Sequence, residues 1–154
     1  MTDSAASPAD ATAVIRQAIP MLGHLGLEVL SMEPGRMTLR VPFAGNQNHV
    51  GTMYAGALFA IAEVPGGAIA VQLFDPTIYY PVIRSMTVDY RRPATTDVTV
   101  DAHIDAADAD RIRAEADANG KADFVMNLEV TDTGGTVVMT SRGEYQLRRH
   151  RPAD

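Results

Sequence analysis

Between Arg40 and Asp75 a single residue, Glu63, carries a formal charge, and it stands inside the apolar run GTMYAGALFAIAEVPGG. A carboxylate without a partner in such surroundings is costly. Desolvation penalises its ionised form and raises its pKa toward the range in which it exchanges a proton near neutral pH. That behaviour suits a general base or a carboxylate nucleophile; the competing reading is a carboxylate held structurally beside Pro65. Two cationic groups also stand out. Arg91 and Arg92 are adjacent, and the tail LRRHR gathers Arg148, Arg149 and Arg151. Paired guanidinium groups either grip an anion such as a phosphate or are solvated surface charges.

Other chemistries find no support. His24, His49, His103 and His150 are scattered without metal-ligand spacing, and the chain has no cysteine, which excludes thiolate sites and disulfides and suits a reducing cytoplasm. No phosphate-binding glycine loop, dinucleotide fingerprint or Gly-x-Ser-x-Gly elbow occurs. Neither a metal nor a cofactor is expected. The net charge of −6 argues against nucleic acid as a partner, since phosphate contacts need a basic surface. The first 20 residues lack a basic start followed by an apolar core, and the run from Val50 to Phe74 is broken by Glu63, Pro65 and glycines. A soluble protein without a membrane span or secretory signal is therefore expected.

The elements that would position these groups follow from periodicity. Residues 1–9 read as a flexible lead-in, residues 10–149 as one domain and residues 150–154 as a short tail. Asp10 to Leu22 has helical spacing closed by Pro20 and Gly23. Leu27 to Met32 and Met37 to Phe43 read as a hairpin whose second strand puts Met37, Leu39, Val41 and Phe43 on one face. Tyr54 to Leu73 is apolar on nearly every face, the mark of a buried helix, with Pro65 expected to kink it. Strands follow at Val82 to Tyr90 and Val98 to Ile104, then a short exposed helix over Asp108 to Asn119. Phe124 to Val130 and Thr136 to Leu147 form a second hairpin about Asp132 to Gly135. The plan is α+β, an antiparallel sheet against one central helix.

This order, and the segment from Asn48 to Glu63, resembles the hotdog fold, a curved antiparallel sheet wrapped around one long central helix. The resemblance is to acyl-CoA thioesterases of the phenylacetate-pathway type and covers residues 24–147. Those proteins carry an asparagine, a loop, His-Gly-Gly opening the helix and an acidic residue further along it. Here the matching positions are Asn48, Tyr54-Ala55-Gly56 and Glu63; DYRRP at Asp89 to Pro93 and NGKADF at Asn119 to Phe124 are also similar. Two departures are evident: the histidine is replaced by Tyr54 and the first glycine by Ala55.

The resemblance implies hydrolysis of an acyl-CoA thioester. Glu63 would be general base or nucleophile, Asn48 would orient water or shape its loop, and the amides of Ala55 and Gly56 would stabilise the oxyanion, because first-turn donors are unpaired and lie at the positive end of the helix dipole. Gly56 is read equally well as a site of close helix packing. His49, Tyr54 and Ala55 would contact the substrate, and Arg91 and Arg92 would hold the phosphates of coenzyme A. A homodimer or dimer of dimers sharing sheets and active sites is expected. Two other functions fit: an acyl-CoA binding or regulatory protein without catalysis, which the loss of the histidine favours, and a hydroxyacyl thioester dehydratase built on His49 and Glu63, whose His-Phe-Pro-Gly pattern is missing.

Overall fold

The computed structural model describes residues 7–151. Ser7 caps the first helix in a reciprocal box with Asp10, and Pro8 fills the first turn, where its missing N–H costs nothing. Helix α1 therefore begins at Pro8, inside the segment expected to be flexible, and runs to Ala18. Pro20 splits the single helix expected over Asp10 to Leu22: Ile19 ends α1 and opens a separate turn, α2, at Pro20–His24. The remaining order is β1 (Glu28–Glu33), β2 (Arg36–Val41), α3 (Ala55–Leu73), β3 (Tyr79–Tyr90), β4 (Val98–His103), α4 (Ala106–Asn119), β5 (Lys121–Asp132) and β6 (Val137–Arg149).

The strands form one six-stranded sheet in the order β1-β2-β4-β5-β6-β3, antiparallel throughout. Alternation decides its faces. On β5, Ala122, Phe124, Met126, Leu128 and Val130 are buried, and on β2 so are Met37, Leu39 and Val41. The β5–β6 hairpin turns where Asp132 Oδ1 accepts from the amides of Gly134 and Thr136, both at 2.9 Å, and Gly135 takes φ +80°. Helix α4 caps at Asp105, ends at Gly120 in the left-handed region and lays Ala109, Ile112 and Ala116 against the domain. Strand β6 lies between β5 and β3, and the edges of the sheet are β1 and β3. Each edge strand carries a bulge, β1 between Val29 and Ser31 and β3 between Ile83 and Ser85. At β1 the Val29 amide donates to Thr12 Oγ1 of α1 at 2.9 Å.

Helix α3 packs on the inner face of this sheet, as the hotdog arrangement requires. It is as apolar as a membrane span, with a mean hydropathy of 1.5, yet most of its core-facing residues are enclosed by the sheet. One stripe is not. Ala55, Phe59 and Val71 are exposed and Glu63 and Gly67 only half-buried, at the spacing of a single helix face. The expectation of burial all round thus fails along one line, which the sheet of a single chain does not reach.

Helix and sheet are locked together by Tyr145 of β6. Its phenol donates to the Glu63 carbonyl at 2.8 Å, beside Pro65, and its ring stacks on Phe124 at 5.3 Å. The ring fits because two neighbours lack side chains: a Cβ at Gly66 would stand 2.2 Å from Tyr145 Cε1, and one at Gly143 2.5 Å from Cε2. Gly66→Ala should therefore cost roughly 1–3 kcal/mol through overpacking, and Tyr145→Phe about 0.5–1.5 kcal/mol for the lost hydrogen bond. Thermal melting of the two variants checks this; a wild-type midpoint for Gly66→Ala would refute the ring-on-glycine contact.

Candidate active site

The chain reaches α3 through a loop stitched by two asparagines. The buried Asn46 donates from Nδ2 to the carbonyls of Leu25 and Pro42, both at 2.8 Å, and its own carbonyl accepts from the Tyr54 amide. Asn48 Oδ1 accepts from the amides of Val50 at 3.0 Å and Thr52 at 3.1 Å, while Nδ2 donates to Thr52 Oγ1 at 2.9 Å. Of the two roles expected for Asn48, the geometry supplies loop shaping; one Nδ2 hydrogen remains for a water. The loop is pinned to the sheet side by the Met53 amide on the Ala94 carbonyl at 2.8 Å.

This loop delivers the chain to Tyr54, which caps α3 by backbone alone, with no side-chain acceptor. The amides of Ala57 and Leu58 turn back to the Tyr54 carbonyl, but those of Ala55 and Gly56 have no acceptor among the described residues. They are free donors at the positive end of a 19-residue helix. They open beside a cleft of about 310 Å³ bordered by Asn48, Ala55, Leu58, Tyr90, Arg91 and Arg92. Tyr90 fixes the far wall by donating to the Ala55 carbonyl at 3.3 Å. Arg91 and Arg92 are anchored through their amides to the Val138 carbonyl and are exposed, without a carboxylate partner among the described residues.

Glu63 lies on the same face of α3, seven residues beyond Gly56, or about 10 Å along the axis. Its carboxylate has no hydrogen-bond or ion-pair partner among the described residues, and burial pushes its pKa up. The structure thus brings Asn48, Ala55, Arg91 and Arg92 to one cleft. Gly56 follows Ala55 outside the cleft lining, and its α-carbon is covered by the Tyr54 ring, which a Cβ would meet at 2.4 Å. His49 is exposed on the loop, and both His49 and Glu63 lie outside the cleft lining. A larger hollow of about 700 Å³ lies on the outer face of the sheet, floored by Thr38, Thr99, Thr131 and Thr140; no expected site residue borders it. No group of acidic, histidine or cysteine side chains able to hold a metal occurs among the described residues.

Residues 10–147 match a domain of unknown function, DUF4442. The chain belongs to the DUF4442 family. A fold of the same shape occurs in a Pseudomonas aeruginosa protein of unknown function described as a "probable thioesterase". The two are 42% identical with a TM-score of 0.88 over 95% of this chain and 100% of that one. More distant structures share the hotdog fold: a Chlorobaculum tepidum protein of unknown function (16% identity, TM-score 0.80, 96% and 100% covered) and a Haemophilus influenzae thioesterase (14%, 0.72, 93% and 91%). No curated protein matches the chain.

Because burial raises the pKa of Glu63 above its unfolded value, the folded protein holds that proton more tightly. Stability then falls as pH climbs from the ordinary carboxylate range through the raised value. Glu63→Gln removes this penalty. Its melting midpoint should exceed that of the wild type by a margin that widens over that pH interval and then levels; a margin independent of pH would refute the burial of an unpaired charge.

Proposed function

We propose that this protein is an acyl-CoA thioesterase acting as a homodimer or dimer of dimers. The observation that carries the reading is Glu63, a partnerless, half-buried carboxylate on the helix whose start presents two free amides to a cleft edged by arginines. The thioesterase description of its 42%-identical relative supports it. The thioester carbonyl oxygen accepts from the amides of Ala55 and Gly56. Water attacks the carbonyl carbon while a carboxylate takes its proton, and the two amides hold the developing oxyanion. The tetrahedral intermediate then expels the thiolate, which receives that proton, leaving a free acid and coenzyme A. Asn48 shapes the wall, and Arg91 and Arg92 hold phosphate oxygens of the leaving thiol.

The distance of about 10 Å along α3 separates Glu63 from the amides of its own helix, so the partner subunit's Glu63 completes each site. The surfaces for such pairing are present. Strand β3 is a 12-residue open edge with unpaired backbone groups. Tyr80, Ile83 and Tyr90 on it, and Phe59 and Val71 on α3, are exposed apolar residues alongside. Joining β3 edges antiparallel about a two-fold axis would extend the sheet and cover the open stripe of α3. A second reading, binding without hydrolysis, is favoured by one feature: the Tyr54 ring over Gly56 narrows the approach to the amides.

Glu63→Gln should reduce turnover of acyl-CoA, followed by free-thiol release across chain lengths and aryl groups, by ~10²-fold or more, with binding retained. A wild-type protein that binds acyl-CoA and leaves it intact would decide for the binding reading. Sedimentation at micromolar concentration should give the mass of a dimer or tetramer, and a monomer would overturn the shared site.

A further inference from the structure

In this acidic chain most arginines have a carboxylate within ion-pairing distance. Those without one among the described residues are Arg84, Arg91 and Arg92, and with them Arg148, Arg151 and the lone lysine, Lys121. All stand on β3, just beyond its end, or around its start. The group at the start forms a cleft of about 610 Å³ lined by Tyr80, Lys121, Arg148, Arg149, His150 and Arg151, together with Asp117. Lys121 of β5 and Tyr80 of β3 both register against Arg148 of β6, so the three form one row across the sheet.

Like charges directly opposite on adjacent strands repel, and nothing in the cleft relieves Lys121 against Arg148. Asp117, its one carboxylate, is spent on the Tyr79 hydroxyl at 2.6 Å and on Arg149 at 3.2 Å. Arg148 Nε donates to Gln146 Oε1 at 2.6 Å, which aims the guanidinium and leaves its terminal nitrogens free. Beside the cations, the Tyr80 ring leans on His150 at 4.9 Å and offers an exposed aromatic wall. An exposed pair of like charges next to an aromatic surface is the recognition chemistry of a phosphate attached to a nucleobase.

We propose that this cleft binds the 3′-phosphorylated adenosine end of the coenzyme A thioester, an inference that rests on the thioesterase reading. Tyr80 and Tyr90 lie at opposite ends of β3, roughly 33 Å apart at about 3.3 Å per residue, so one subunit's cationic cleft cannot serve its own helix start. Antiparallel pairing of β3 edges sets the start of one strand beside the end of the other, where Arg91 and Arg92 stand. The nucleotide end is then held by one subunit and the thioester by its partner.

Calorimetry at low salt with adenosine 3′,5′-bisphosphate tests this on the full chain. The wild type should bind it, and Lys121→Ala with Arg148→Ala should weaken binding about tenfold or more, the loss of one or two charge-assisted contacts. The same variant should melt no lower than the wild type, since a repulsive pair is removed, keep kcat for acyl-CoA and raise KM. No binding by the wild type, equal affinity in the variant, or inorganic phosphate binding as tightly as the bisphosphate would each overturn the proposal. If the wild type binds the bisphosphate through these residues yet hydrolyses no acyl-CoA, the cleft stands and the thioesterase reading falls.

Discussion

The seating of one aromatic ring governs where everything functional lies. Tyr145 reaches from β6 into the notch left by Gly66 and Gly143, and its hydroxyl takes hold of the backbone of Glu63. That contact sets the height of α3 on the sheet, and with it the start of the helix, where two amides are left without acceptors. It also fixes the backbone of Glu63 while leaving its carboxylate unpaired. The general base proposed at this position needs this combination of a rigid frame and an unsatisfied side chain.

Stability and chemistry pull in opposite directions along α3. Its apolar face is buried and contributes to the core in the ordinary way. On the other face, Ala55, Gly56, Phe59 and Glu63 leave donors, a ring and a carboxylate without partners inside one chain. The loop before the helix compensates by turning its polar groups inward: Asn46 and Asn48 set their carboxamides onto backbone and Thr52, which stiffens the cleft wall.

Much of this was legible in the residues, because alternation on β2 and β5 and the unbroken apolar character of Tyr54 to Leu73 each have one physical solution. The cost of an uncompensated charge picked out Glu63 before any coordinates. Other features depend on contacts far apart in sequence. Nothing near Tyr145 announces its role, although two glycines inside regular elements, Gly66 and Gly143, were the available signal, since each weakens its element unless something fills the space. Asn46 and Tyr90 act through partners that only folding brings near. Gln72, a polar break in the helix pattern, turns out to hold the β1–β2 turn, bonding the Glu33 carbonyl at 2.8 Å and the Gly35 amide at 3.2 Å. The position of β6 inside the sheet reflects strand order, which length does not encode.

The two rims of the sheet are not equivalent, and the difference bears on how far assembly can run. Both edge strands are bulged, but at β1 helix α1 lies alongside, with Thr12 already occupying the Val29 amide. At β3 the rim is open. A copy docked there two-fold uses up both open rims and presents only helix-guarded ones to the outside. Growth by sheet extension, the route to fibrils, therefore stops after a single addition.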